Sequence, residues 1–591
     1  MRQAQYAAVR SHRRGGRRRQ RRFMRFVGIP LAAAIVAGGV GVGYTVLART
    51  SCDGQTESSI VASPATAPIL SELSKSWAQT APVVGGRCAS VKITAKDSAE
   101  MAVALGMAWD PATAGAPPDV WVPQSSAWVR RAAASTVAEP MIPDLQPSIA
   151  RSPTVIAMPR PMAEALGWPK AQLTWQDLID KFASNDRGWA AYHRQWGQFR
   201  LGMSDPATST AGLLALTAVL DANDDSEVDS QEQRSVLRLK QLMRVYEQST
   251  EEILTGLREA GGAEQALGYV SAFPALEQDV LAYNKQQPAV PLAAIYPSNG
   301  NIEADHPYLI LRAPWAQPDR QEVARAFLDY VRGPRGREAL LAAGFRDANR
   351  RPGQDHTAAY GLTPTLKALP RAVLLPEAVS RTIETWTALT RPTNLLFVLD
   401  VSGSMQAEVP GTGKTRLQLA KEATAQSIRL FPDDARIGLW AFSTGQNGGQ
   451  DYRTVVSLGR LGDPMSGGSR KEVLLSRLGG LRAAGNTGLY DTAAAAHRFM
   501  VDNRDDAATN LVVLLTDGRN EDNTGGLNLE QLGRTLRTAS PQVPIVTVGY
   551  GEDADYAALR QISTHTGGRA FSSREAFDIN QVLLTAIFSN T

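Results

Sequence analysis

The spacing of hydrophobic positions changes several times along the chain, and each change predicts a different element. Residues 26–48, FVGIPLAAAIVAGGVGVGYTVLA, are 23 consecutive positions without a charge, enough for one helix to cross a hydrocarbon core of ~30 Å. After it, short apolar runs alternate with stretches of helical spacing. Ser58–Ser63 reads as a strand and leads through Pro64 into the helical PILSELSKSWAQ. Val91–Ala95, Pro118–Pro123, Thr154–Met158 and Phe199–Met203 are further strand-like runs with helical segments between them. This alternation predicts an α/β architecture with a parallel sheet over 58–346. Residues 347–392 mix Arg, Pro, Gly and polar residues with modest helical runs and read as an ordered connector. At 393 the pattern resets. Thr393–Asp400 is continuously apolar up to its last residue, the signature of a strand buried on both faces. Helical spacing over 415–430, a strand at Ala435–Ser443, helices near 470–482 and 554–566, and strands at Asn510–Thr516 and Pro544–Gly549 complete a doubly wound, Rossmann-like sheet over 393–591.

Composition supports large folded cores: of 591 residues, 43% are hydrophobic and only 20% charged. The net charge of +4 misleads. Residues 1–25 hold ten arginines (Arg2, Arg10, Arg13, Arg14, Arg17, Arg18, Arg19, Arg21, Arg22 and Arg25) and no acid, so the rest of the chain is net acidic. The basic tail precedes the apolar run while Arg49 alone follows it, which by the positive-inside rule predicts a single-pass cell-membrane protein, N-terminus cytoplasmic and bulk extracellular. Two alternatives are a cleaved leader, for which no small-x-small site follows the run, and a lipid-modified Cys52, for which Arg49 breaks the preceding context. The acidic body argues against nucleic acid as a partner. The only cysteines, Cys52 and Cys88, would face an oxidising compartment and are expected to pair, the alternative being two buried thiols. The six histidines are scattered and form no HExxH, which excludes a zincin.

Candidate chemistry gathers at strand ends. Ser63, Ser125 and Ser126 follow strand-like runs, and Thr208, Ser209 and Thr210 open a helix after Asp205-Pro206. In open α/β sheets ligands bind at that edge, and a helix N-terminus offers free N–H groups, although plain N-capping explains the same residues. The string VASPATAPIL, PDVWVPQSSAW, SPTVIAMPRP, LGMSDPATSTAGLLAL, YPSNGNIEADHPYLIL and GFR resembles a bacterial extracellular solute-binding protein, closest to the two-lobed molybdate- and sulfate-binding group. The resemblance implies two α/β lobes with a periplasmic-binding-protein-like cleft, in which those six residues would be the ligand-binding set. It leaves open whether the ligand is an anion or neutral.

In the second half, Asp400-Val-Ser402-Gly-Ser404 ends the first strand, Thr487 lies in a later loop, and Thr516-Asp517-Gly518 ends another strand. Hard divalent cations take oxygen ligands, so Ser402, Ser404 and Thr487 can offer hydroxyls while Asp400 and Asp517 supply charge. Gly403 is expected to permit the tight turn between the serines. The pattern closely resembles the metal-ion-dependent adhesion site (MIDAS) of von Willebrand factor type A (VWA) domains. That resemblance implies Mg²⁺ or Mn²⁺ and a protein partner that presents an acidic residue to the metal. Two decoys fail on spacing. Asp221–Asp225 begins like an EF-hand but has no Gly in sixth place, and Gly413-Lys414-Thr415 lacks the glycine a phosphate loop needs at 408. With no nucleophile–base constellation, the expectation is a non-enzymatic binding and adhesion protein, the alternative being the solute-binding component of a transport system.

Overall fold

The computed structural model describes residues 52–573 except 108, 184–187, 221–229, 301, 367–375, 523–525 and 552–553. Strand Gln55–Ala62 lies at the centre of the first lobe, paired in parallel with Arg87–Ala95 on one side and Val120–Val122 on the other. Leu309–Ile310 returns to close that edge antiparallel. Helix Ala67–Ala78 starts with a proline in its first turn, where the missing N–H costs nothing, and buries Leu70, Leu73 and Trp77 at helical spacing. Trp77 packs on Phe327 of helix Pro318–Arg332, with ring centroids 5.3 Å apart, so the chain's return closes the lobe begun at its start.

The second lobe departs from the parallel sheet expected of the whole region. Ser152–Pro159, buried at every position, is flanked by antiparallel Phe273–Leu276 and Leu292–Ile295. Leu201–Ser204 and Met243–Glu247 form a separate parallel pair. The flanking strands have four residues each, too short for period-two alternation to show in the sequence. Helix Thr210–Leu220 is buried along its whole length, with apolar residues on every face. Helix Pro376–Thr390 packs on it: Thr217 Oγ1 and Thr382 Oγ1 are 3.3 Å apart, and Trp386 Nε1 donates to Tyr246 Oη at 3.2 Å.

The last sheet has six strands in the order Gln450–Arg460, Arg436–Asn447, Thr393–Asp400, Thr509–Thr516, Ile545–Tyr550, Ala570–Ser573. All neighbours run parallel except the hairpin pair at the first edge. Alternation along the central strand sends Leu395, Phe397 and Leu399 into one core and Leu396 and Val398 into the other, so helices cover both faces. Helix Arg416–Leu430 touches the first half through its C-terminal end, where Gln241 Nε2 donates to the Arg429 carbonyl at 2.6 Å.

Two expectations from the sequence lie outside the described residues: the tail and apolar span at 1–48, and the acidic turn at 221–229. Among the described residues no helix is long and apolar enough to cross a membrane. The longest have 15 residues, about 22 Å at 1.5 Å per residue against a hydrocarbon core of ~30 Å. The expected transmembrane helix, and the single-pass cell-membrane location built on it, are therefore corrected: among the described residues no helix supplies a span. Cys52 and Cys88 are disulfide-bonded, joining the approach to Gln55–Ala62 to the start of its neighbour Arg87–Ala95.

Candidate metal centre and interlobe cleft

Thr393–Asp400 and Thr509–Thr516 are adjacent parallel strands, so their carboxyl ends deliver Asp400 and Asp517 to the same edge. Both aspartates are fully buried. Asp400 Oδ1 accepts from the Ser402 amide at 2.7 Å and Oδ2 from Thr516 Oγ1 at 2.5 Å. Burial pushes its carboxyl up to about 7, helped by the neighbouring Asp517 charge and opposed by the Thr516 and Ser402 bonds. Ser402 Oγ lies 3.0 Å from Ser404 Oγ, and Ser404 Oγ donates to Asp517 Oδ1 at 2.7 Å. One contact path therefore runs Asp400–Ser402–Ser404–Asp517. Gly403 does not have the left-handed φ a turn glycine often needs. Its amide donates to the Gly485 carbonyl at 2.8 Å, and a Cβ there would sit 3.4 Å from the same oxygen, so it serves close loop approach.

Thr487 comes from the loop before helix Leu489–Asp502. It is 1% exposed and its Oγ1 has no hydrogen-bond partner. A Cβ built on Gly518 would meet that oxygen at 2.9 Å and Ser404 Oγ at 3.7 Å. The space beside Gly518 is thus lined by two hydroxyls from different loops. An orphaned buried hydroxyl next to this oxygen-rich cradle fits a hard divalent cation.

Sequence reasoning missed Arg416. At the first turn of helix Arg416–Leu430, its Nη1 lies 2.8 Å from Asp517 Oδ2, with the side chain 17% exposed. A lone arginine at a helix start carries no local signal; only the fold brings it to Asp517. Nearby, Asp451, Asp491 and Asp522 place carboxylate oxygens within 4.8 Å of one another. Burial raises the Asp491 carboxyl, and the Asp522 and Asp451 charges add to it. The phosphate-loop decoy resolves into ordinary contacts: Lys414 pairs with Glu422 at 2.7 Å and Thr415 caps the helix.

In the first half, a cavity of about 570 Å³ opens between the lobes. Thr208, Ser209 and Thr210 line it together with Gln124 of the opposite lobe. Ser63, Ser125 and Ser126 are not among its lining residues. Ser63 Oγ pairs with Thr66 Oγ1 at 3.0 Å, Ser125 caps helix Ser126–Ala133, and Ser126 Oγ accepts from Arg130 at 2.9 Å. The lining also includes Asp97, Glu100, Glu251 and Asp279, which sequence reasoning passed over. Asp97 is a helix N-cap and Asp279 closes a capping arrangement at Leu276, roles that hide a second use.

Both halves of the chain match known families. Residues 59–346 match the family described as bacterial extracellular solute-binding protein, and residues 394–584 match the von Willebrand factor type A domain. An uncharacterized protein of Mycobacterium tuberculosis is 24% identical over 533 residues, covering 89% of this chain and 75% of that protein. Inter-alpha-trypsin inhibitor heavy chain H3 of Mesocricetus auratus is 24% identical over 195 residues, 32% of this chain and 20% of its own length. Among solved structures, a von Willebrand factor type A protein from Catenulispora acidiphila aligns with 25% identity and TM-score 0.28, covering 34% of this chain and 43% of that one. The periplasmic binding protein AfuA from Actinobacillus pleuropneumoniae, solved with exogenous fructose-6-phosphate, aligns with 16% identity and TM-score 0.38, covering 57% of this chain and 98% of that one. The chain thus joins a bacterial extracellular solute-binding domain at 59–346 to a von Willebrand factor type A domain at 394–584.

Proposed function

We propose that the chain is a non-enzymatic binding protein with two sites, organised as a solute-binding domain over 58–346, a connector over 347–392 and a VWA domain over 393–591. Asp400, Ser402, Ser404, Thr487 and Asp517 would hold one Mg²⁺ or Mn²⁺. The bound ion would offer an open coordination position to a carboxylate from outside. Hydroxyls bind without neutralising a cation, and Asp400 and Asp517 are already engaged by Thr516, Ser402, Ser404 and Arg416. Charge is therefore left for an Asp or Glu of a partner protein to balance. The observation that carries this reading is the buried Thr487 Oγ1 without a partner.

Calorimetric titration of Mg²⁺ and Mn²⁺ into the full chain, beside a Ser402→Ala/Ser404→Ala variant, tests it. Saturable binding that weakens at least ~10-fold in the variant is expected; equal binding in both proteins would sink the reading. A second reading, delivery of a solute to a permease, draws its support from the cavity between the lobes, to which Thr208, Ser209 and Thr210 contribute.

A further inference from the structure

The threonine hydroxyls at the cleft are poorly placed to receive an anion. Thr208 Oγ1 donates to the Gln248 carbonyl at 2.7 Å, and Thr210 Oγ1 donates to Gln124 Oε1 at 2.6 Å while accepting from Trp128 Nε1 at 2.8 Å. Ser209 Oγ receives Ser204 Oγ at 2.8 Å and the Gly212 amide at 3.3 Å. An oxyanion needs donors; both threonine protons are committed within the protein, and of these three hydroxyls Ser209 alone, whose oxygen accepts both of its bonds, keeps a proton to give. The charges point the other way. Asp97 and Glu100 face the cavity from the first lobe, Glu251 and Asp279 from the second, and no lysine or arginine is among the lining residues. Lys96 reaches Glu100 at 3.4 Å and Arg258 pairs with Glu251, but Asp97 and Asp279 have no ion-pair partner among the described residues.

We infer that the interlobe cavity takes a small organic cation, an amine or guanidinium held between carboxylates of the two lobes. The inference rests on the reading of the cleft as a solute site and gives that solute its charge. Burial raises the Asp97 carboxyl and pushes Asp279 up to about 7, with the Glu100 charge adding to the first and the Glu251 charge to the second. A bare metal ion fits less well. It would need several carboxylate oxygens converging on one point, and among the described residues the group that converges is Asp451, Asp491 and Asp522 in the other domain. A cavity of about 570 Å³ suits a molecule that spans from lobe to lobe.

The test is calorimetry on the full chain with putrescine, spermidine and L-arginine as cations, sulfate and molybdate as oxyanions, and maltose as a neutral probe. The expected result is saturable binding of at least one cation, weakened ~10-fold or more in Asp97→Asn and by rising salt. Because Asp97 caps a helix, Glu100→Gln, at an exposed side chain, serves as the second variant and should weaken the same cation severalfold. Saturable oxyanion or maltose binding with silent cations would overturn the charge assignment and leave the solute site standing. Silence from all six probes would overturn the solute-site reading together with the inference. Calcium is titrated as a separate control, and calcium binding abolished by Asp97→Asn would replace the organic cation with a metal.

Discussion

Two sites in this chain sit at the carboxyl ends of strands and are lined by hydroxyls and aspartates, yet their hydrogen bonding differs. At the VWA edge, Thr487 Oγ1 is buried without a partner, while Asp400 and Asp517 are held by neighbouring donors. In the interlobe cleft the hydroxyls of Thr208 and Thr210 are consumed within the protein, and Asp97 and Asp279 have no ion-pair partner among the described residues. The same residue types therefore suit two different kinds of cation. A cation bound directly by hydroxyls fits the first, and a cation bound by carboxylates at longer range fits the second. Residue identity alone does not separate these cases; following each proton to its acceptor does.

The comparison breaks most sharply at Asp517. Asp517→Ala removes a fully buried charge that fixes both Ser404 and Arg416. We expect saturable Mg²⁺ binding to disappear at millimolar metal, with cation binding at the cleft unchanged in the same calorimeter. Loss at both sites would mean that the substitution unfolds the chain. Arg416→Gln should move the other way. The guanidinium, 2.8 Å from Asp517, adds positive charge where the metal would sit, so its removal should tighten Mg²⁺ by ~10-fold, or ~1.4 kcal/mol. An unchanged or weaker affinity would show that Arg416 positions Asp517 rather than opposing the ion.

The next effect separates the two halves by pH. His306, on the strand-to-strand return between the lobes, is fully buried with both ring nitrogens unpartnered. Burial, with a smaller push from Arg151, lowers it to about 3. Between pH 6.5 and about 3 the unfolded chain binds a proton that the folded chain refuses, so stability is intact above 6.5 and falls as the pH drops. From pH 7 to 5.5 the loss is about 1.2 kcal/mol. Over the same interval the raised Asp279 and Asp400 carboxyls gain protons in the folded chain and act in the opposite sense, so the His306 contribution is read as a difference: in urea unfolding at those two pH values the wild type should lose about that much stability relative to His306→Gln. An equal change in both proteins would remove His306 as a source.

Asp400, Ser402, Ser404, Thr487 and Asp517 could be picked out because their spacing is local on three loops, two of which follow a clear strand while the Thr487 loop lies between helices Arg470–Gly479 and Leu489–Asp502. Arg416 could not, since its partner lies at Asp517 and only the parallel pairing of two strands brings the loops together. The edge strand Gln450–Arg460 also escaped, because it pairs with shifts in register that blur its alternation. At the cleft, Thr208–Thr210 were visible as a helix start, but Asp97 and Asp279 read as caps and nothing more. Ser63, Ser125 and Ser126 were drawn in by their place after strands, and the structure gives each a nearby partner within its own lobe.

The smallest expected effect concerns whether the two sites communicate. Helix Arg416–Leu430 begins beside Asp517 and ends where the Arg429 carbonyl accepts from Gln241 of the first domain. A rigid helix of 15 residues, about 22 Å long, thus reaches from one region to the other. Spatial continuity is not coupling, because coupling needs an element with two arrangements that both sites bias. The Gln241 contact is a single exposed hydrogen bond, worth roughly 0.5–1.5 kcal/mol at most, and only a fraction of that could be transmitted through Arg416 to the metal loops. Gln241→Ala should therefore change Mg²⁺ affinity by less than about twofold, or ~0.4 kcal/mol, with or without a cation in the cleft. A larger shift that appears only when the cleft is filled would turn two independent sites into a linked pair. By reciprocity, Mg²⁺ would then have to change the affinity of the cleft by the same factor, which the same titrations run in the opposite order would reveal.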